Sequence, residues 1–173
     1  MKAIIPLLVA MNIFSIFARA DSLPIGSPAP QVNAKNQDGE EVLFSDVYAK
    51  GITLVYFYPK AETPGCTKEA CSLRDAYATL HGNGLQILGV SRDTTAAQKK
   101  FREHQKLPFT LIADTDGKVA DAFAVPMILP GVPVTKRQSF IVRNGKIVWS
   151  SLSAQTSGAA EEVQKALDTI QKQ

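Results

Sequence analysis

Runs of apolar residues and stretches of mixed polarity alternate along the chain, as in proteins that alternate strands with helices. Residues 52–58 are seven consecutive apolar or β-branched positions, which predict a buried strand. Pro59 ends this strand because proline cannot donate a hydrogen bond to a neighbouring strand. Residues 85–91 and 109–113 repeat the pattern and predict a second and a third buried strand.

The segments between these strands carry helix and hairpin signals. Helices are predicted at residues 45–50, from Pro64 to the stop signal at 81–84, at 96–106, at 118–123, and after Ser157 with an apolar face of Val163, Leu167 and Ile170. Hairpins are predicted where residues 32–34 precede 41–44 and where 139–142 precede 146–150 across Asn144-Gly145, and residues 125–134 predict an irregular loop. This order predicts an α/β fold with a mixed central sheet.

Both cysteines of the chain lie on the helix that follows the first buried strand. Thr63 suits the N-cap, Pro64 suits the first helical position, and Cys66 falls at about the third. The sulfur of Cys66 is therefore expected near unpaired backbone N–H groups, a position that favours the thiolate form. The sequence thus indicates a reactive thiol at Cys66.

The spacing of Cys66 and Cys71 implies different local structures for the dithiol and disulfide forms. Residues five positions apart in an α-helix have Cα atoms roughly 8.7 Å apart, whereas a disulfide needs less than about 7 Å. If the two cysteines pair, the first turns of the helix must unwind, which suits a redox cycle. The alternative, in which both are buried apolar residues or a structural disulfide, stays open at this point.

The residues around the cysteines carry a family resemblance. Pro59-x-x-x-Thr63-x-x-Cys66 resembles the active-site motif of peroxiredoxins, and residues 56–60 and 63–75 resemble the Q-type, bacterioferritin-comigratory branch. The resemblance extends over residues 22–152 and is weaker between 125 and 136. It implies a thioredoxin-like fold, with a mixed central sheet flanked by helices.

The resemblance also implies an activity, that of a thiol peroxidase acting on hydrogen peroxide and organic hydroperoxides. Cys66 would attack the peroxide, which Thr63 and Arg137 would hold. Cys71 would then form a disulfide with Cys66, and a thioredoxin-like or other dithiol would reduce it. The resemblance implies no metal, no organic cofactor and a monomer.

Pro59 and Glu69 are the supporting residues in this interpretation. Pro59 belongs to the motif, and Glu69 matches an acidic or amide position that orients the arginine in the family. The alternative for Glu69 is an ordinary acid of the first helical turn, favoured there by the helix dipole.

The amino terminus predicts export. Met1-Lys2 is a short basic start, residues 3–17 are rich in apolar side chains, and Ala18-Arg19-Ala20 resembles a signal-peptidase site. This pattern predicts a secretory signal peptide at residues 1–20, a single domain at 21–173, a bacterial periplasmic location and no membrane contact after cleavage. An uncleaved membrane anchor is the alternative. Without residues 1–20 the formal net charge falls from +3 to +1, so no nucleic-acid partner is expected.

Two other classes of protein remain as alternatives. A general thiol–disulfide exchange protein would favour a Cys-x-x-Cys pair, which the chain lacks. A copper(I) carrier would hold the metal with the two thiolates and either His81 or His104.

Overall fold

The computed structural model describes residues 22–172, so the predicted signal peptide lies outside the described residues. Within them the strands are β1 (Asn33–Asn36), β2 (Glu41–Leu43), β3 (Ile52–Phe57), β4 (Leu85–Ser91), β5 (Thr110–Ala113), β6 (Gln138–Arg143) and β7 (Lys146–Ser151). The helices are α1 (Phe44–Tyr48), α2 (Pro64–Asp75), α3 (Tyr77–Gly82), α4 (Thr95–His104), α5 (Lys118–Ala122) and α6 (Ala159–Ile170). Among these helices, none is both long and apolar enough to cross a membrane.

All of these strands form one sheet in the order β2-β1-β5-β4-β3-β6-β7. β3 runs parallel to β4, and β4 runs parallel to β5, whereas β1 and β6 pair antiparallel with β5 and β3. The mixed sheet predicted from the sequence is confirmed. Because β3 and β4 are parallel neighbours, their carboxyl ends meet at one edge of the sheet, where the cysteine helix begins.

The two faces of β3 explain its unbroken apolar sequence. Tyr56 and Tyr58 pack into a core formed with α2, α4 and α6, and Phe57 packs into a second core formed with α1 and α5. Successive side chains of a strand point to opposite faces, so a strand covered on both faces needs an apolar residue at every position. β3 is therefore the rigid support on which the cysteine helix rests.

The single cysteine helix predicted from Pro64 to residues 81–84 is in fact two helices, so that prediction was wrong. α2 ends at Asp75, and Ala76, with φ −92° and ψ 0°, separates it from α3. At the start of α3 the Tyr77 ring packs on Phe109, with 6.2 Å between ring centroids. Periodicity alone does not show this break.

One smaller prediction was wrong and another is confirmed. Ser157 does not cap the last helix, since Gly158 occupies the N-cap of α6 and no side chain caps it. Residues 125–134 form the predicted irregular loop, outside every named strand and helix, with one isolated bridge between Met127 and Thr135 and a bond from Ile128 N–H to the Val134 carbonyl at 2.8 Å. Prolines restrict pairing to these few bonds. In the second hairpin, Asn144 and Gly145 have φ of 52° and 70°, as the Asn-Gly signal predicts.

Candidate active site

A short loop carries the chain from the end of β3 into the cysteine helix. Pro59 follows the buried strand as predicted, and Glu62 has a left-handed φ of 64°. Thr63 is extended, with φ −76° and ψ 149°, and occupies the N-cap of α2. Pro64 is the first residue of the helix and Cys66 the third, so both predicted positions are confirmed. The thiol of Cys66 is buried, with the residue 2% exposed.

The hydroxyl of Thr63 makes a different contact from the one that its position predicts. It does not cap the N-terminus of α2 but donates to the Lys60 carbonyl at 2.9 Å. This bond closes the tight turn over residues 60–63. As a result, no side chain caps the N–H groups at the start of α2, and the hydroxyl oxygen retains its capacity to accept a hydrogen bond.

Arg137 reaches the cysteine from another element. In the antiparallel pair of β3 and β6, Phe57 lies opposite Gln138, so Arg137 stands beside the end of β3. Its Nη2 donates to Cys66 Sγ at 3.3 Å, and its Nη1 donates to Glu69 Oε2. The side chain is 16% exposed. One guanidinium group thus bridges the thiol and a carboxylate that lie one turn apart on α2.

Glu69 is among the most buried charged residues of the described chain, at 1% exposed. Burial raises the pKa of its carboxyl to about 8, while the charge and hydrogen bond of Arg137 act in the opposite direction. Loss of hydration disfavours the charged form of an acid, which is the physical cause. This carboxyl therefore exchanges its proton near neutral pH, and in either form it can accept the bond from Arg137.

Cys71 does not join this group. It is half-buried and lies two-thirds of the way along α2, where its Sγ donates to Gln105 Oε1 at 3.7 Å, next to the carboxyl end of α4. Both thiols are free. Because α2 is an unbroken helix between them, the two sulfurs are held apart, and the structure is that of the dithiol form.

An open groove leads from the surface to Arg137. Pro59, Ile128, Lys136 and Leu152 line it together with Arg137. Ile128 and Leu152 are exposed apolar residues, 46% and 53% exposed. The structure therefore brings Cys66, Glu69 and Arg137 into direct contact, places Thr63 and Pro59 in the adjoining loop and groove, and keeps Cys71 outside this group.

The chain is similar in sequence to known proteins. The model of the AhpC/TSA family matches residues 25–150. The chain belongs to this family. A chloroplastic peroxiredoxin Q of Oryza sativa subsp. japonica is 40% identical over 123 residues, covering 71% of this chain but 56% of the plant protein. The chain thus spans a little over half the length of such curated relatives.

Solved structures extend the comparison to the fold. Peroxidoxin BcpB from Mycobacterium tuberculosis is 30% identical, with a TM-score of 0.80 over 84% of this chain and 97% of that chain. Peroxiredoxin Q from Xanthomonas campestris is 26% identical, with a TM-score of 0.75 over 86% of this chain and 98% of that chain. The predicted thioredoxin-like fold and the resemblance to the Q-type branch are confirmed.

The copper(I) alternative requires a third ligand close to the two thiols. His81 and His104 are exposed, and His104 Nδ1 instead contacts the Glu62 carboxylate at 3.2 Å. Within residues 22–172, no group of three or more histidine, cysteine, aspartate or glutamate side chains is placed to hold a metal ion. The described residues do not provide the ligand set of that alternative.

Asp93 is a site residue that the sequence reasoning missed. Its Oδ2 accepts hydrogen bonds from the Ala61 N–H at 2.8 Å and from the Ser91 hydroxyl at 2.7 Å. It thereby fixes the loop between Pro59 and Thr63. The available signal was its position just after the second buried strand, because the ends of parallel neighbours meet at one edge of a sheet.

Proposed function

We propose that the protein is a thiol peroxidase of the thioredoxin-dependent type, an antioxidant oxidoreductase that reduces hydroperoxides through Cys66. The observation that supports this proposal most directly is the Arg137 guanidinium, which touches the Cys66 sulfur and is itself held by buried Glu69. A fixed cation beside a buried sulfur favours the thiolate, the nucleophilic form. The same cation faces the position where charge develops on a departing oxygen.

In the first step, the Cys66 thiolate attacks one oxygen of the hydroperoxide. A sulfur–oxygen bond forms, the oxygen–oxygen bond breaks, and the leaving oxygen departs as water or an alcohol after taking up a proton. Thr63 accepts a hydrogen bond from the peroxide, since its own proton is donated to Lys60. Arg137 stabilises the leaving oxygen, and Cys66 becomes a sulfenic acid.

In the second step, the Cys71 thiolate attacks the sulfenic sulfur. A disulfide forms, the sulfur–oxygen bond breaks, and the released hydroxide takes up a proton to become water. The two cysteines lie five positions apart in α2, so the helix must open locally for this step. An external dithiol, thioredoxin-like or other, then reduces the disulfide and restores the form seen here.

The groove beside Arg137 supports organic hydroperoxides as substrates in addition to hydrogen peroxide. Ile128 and Leu152 offer apolar surface to an alkyl group, and Arg137, which contacts Cys66, lines the same groove. No metal or organic cofactor takes part in the proposed cycle.

We also propose that the working form is the exported, monomeric chain of residues 21–173. The support is the signal-peptide pattern at residues 1–20, with small residues at Ala18 and Ala20. N-terminal sequencing of protein from the periplasm should find Asp21. An intact Met1 on cytoplasmic protein would overturn the export proposal, and sedimentation of the mature chain tests the monomer.

The activity is tested by peroxide consumption with the mature protein and several candidate dithiol donors. Turnover that depends on both peroxide and a donor, and that disappears in Cys66→Ser, supports the proposal. Turnover that survives Cys66→Ser, or no oxidation of Cys66 by any hydroperoxide, would overturn it.

A further inference from the structure

The second half of α2 is fastened to the end of α4 by Arg74. Its Nη1 donates to the backbone carbonyl of Gln105 at 2.7 Å, and its Nε donates to Asp75 Oδ1 at 2.8 Å. Gln105 is the C-cap of α4, and the carboxyl end of a helix attracts cations. Gln105 also contacts Cys71, through its side-chain oxygen at 3.7 Å. Cys71 and Arg74 are three positions apart, so they share one face of α2.

The sulfur of Cys71 lies between a hydrogen-bond acceptor on α4 and the side chain of Arg74 on its own helix. The sulfur points at the carbonyl oxygen of the Gln105 side chain, beside the negative end of α4. Arg74 supplies the nearby positive charge. The pKa of Arg74 is raised chiefly by its hydrogen bond with Asp75, and the neighbouring Cys71 acts in the same direction. Asp75, whose side chain is 67% exposed, pairs with the same guanidinium at 2.8 Å.

We propose that Arg74 is a positioning residue for the resolving step, which keeps its positive charge beside the Cys71 sulfur while remaining docked on α4. This inference rests on the proposed function and adds a residue to its second step. Arg74 follows Cys71 in the chain, so its bond to Gln105 is made beyond the turns that must unwind. The unwinding of α2 therefore stops before Arg74, and Cys71 moves towards Cys66 while Arg74 stays bound to Gln105.

The chemistry of the resolving step explains why a positive charge near Cys71 matters. Cys71 must lose its proton before it attacks the sulfenic acid, because the thiolate is the nucleophile. A delay leaves the sulfenic acid exposed to a second peroxide molecule, which would oxidise it to sulfinic acid. A cation held next to Cys71 thus accelerates disulfide formation and protects Cys66.

The test compares Arg74→Gln, Arg74→Lys and Arg102→Gln. Arg102 is a matched control, since its Nε donates to a backbone carbonyl, that of Phe109, at 3.2 Å from within α4. Reduced protein is mixed with equimolar hydrogen peroxide and quenched at intervals. Intact mass after trapping with a sulfenic-acid reagent and a thiol alkylator gives the rates of sulfenic acid and disulfide formation across pH.

We expect Arg74→Gln to form the disulfide about threefold to tenfold more slowly near neutral pH, the effect of losing one partly exposed charge. The midpoint of its pH profile should rise, and more sulfinic acid should form in excess peroxide. Arg74→Lys keeps the charge and should restore both the rate and the midpoint. Arg102→Gln should match wild type, and sulfenic acid formation should be unchanged in every variant.

Equal slowing in Arg74→Gln and Arg74→Lys with an unchanged pH midpoint would overturn the inference, because that result describes a purely structural contact. Wild-type behaviour of Arg74→Gln would overturn it as well. In both cases wild-type protein still forms sulfenic acid and disulfide, so the proposed function stands. Failure of the wild-type protein to form either species would instead refute the proposed function.

Discussion

The two cysteines share one helix but have opposite surroundings. Cys66 is 2% exposed and accepts from the guanidinium of Arg137, just before β6, which is itself fixed by a buried carboxyl. Cys71 is half-buried and contacts the side-chain oxygen of Gln105, the C-cap of α4, whose backbone carbonyl accepts from Arg74. The sulfur that we propose meets peroxide therefore depends on long-range contacts, whereas the sulfur that we propose resolves depends on the local helix and on release from Gln105.

This difference shows why the proposed cycle needs two states of α2. The contacts around Cys66 exist only while α2 is folded against β6, so the first step belongs to the closed helix. The second step requires the sulfurs to approach, which the closed helix prevents. Opening the first two turns gives up a few backbone hydrogen bonds at about 1 kcal/mol each, a cost that the oxidation by peroxide can readily offset.

The largest expected effect comes from replacing each of the two cysteines by serine in turn. Cys66→Ser should abolish peroxide consumption because the attacking sulfur is gone. Cys71→Ser should still consume one peroxide per chain and leave Cys66 as a sulfenic acid, which mass spectrometry detects. The comparison fails if the first-turnover rate drops equally in both variants.

The next largest effect should follow loss of the cation beside Cys66. Arg137→Gln should slow sulfenic acid formation about 100-fold or more, the usual effect of removing one group that stabilises a departing oxygen. Lys136→Gln is the matched control, since Lys136 lines the same groove but is exposed and contacts neither Cys66 nor Glu69. Rapid-mixing measurement of Cys66 oxidation separates the two variants, and equal losses in both would contradict the role of Arg137.

The predictability of the two sites from sequence differed for a physical reason. Thr63, Pro64 and Cys66 were placed correctly because capping and strand termination are local properties. Arg137 and Glu69 were named through the family motif, not through any pattern that joins them in this chain. Their contact arises from the pairing of β3 with β6, which periodicity does not encode.

The surroundings of Cys71 could not be predicted in this way. Gln105 reaches Cys71 through the packing of α4 against α2, over 34 positions of sequence. Asp93 supports the cysteine loop across neighbouring strands, and Tyr77, just after the break at Ala76, packs on Phe109 from a distant part of the chain. In each case the contact joins distant parts of the chain, so the local sequence pattern predicted the helix or strand but not what it packs against.

A smaller effect should distinguish the two states of the helix. In the reduced protein the amides of residues 65–73 are expected to exchange slowly, and in the disulfide form about tenfold faster or more, since each lost hydrogen bond contributes about 1 kcal/mol of protection. β3 serves as the internal control, because it is buried on both faces and should change little. Equal protection in both redox states, with the disulfide confirmed by mass, would contradict local opening.

The last expected effect, spread over several pH units, concerns the pH dependence of stability that the buried carboxyl beside Cys66 creates. The pKa of Glu69 is raised by burial from 4.5 to about 8, so between these values the folded chain holds a proton that the unfolded chain has released. Glu69 therefore adds to the free energy of unfolding at low pH, and this contribution is lost as the pH rises towards about 8.

The variant Glu69→Gln tests this pH dependence. It removes the titrating carboxyl, and the Gln side chain can still accept the hydrogen bond from Arg137. Urea unfolding at several pH values should show wild type losing stability relative to Glu69→Gln on raising the pH, by at most about 1.4 kcal/mol per unit. Parallel curves, or a wild type that gains stability with pH, would show that the ion pair with Arg137 outweighs burial.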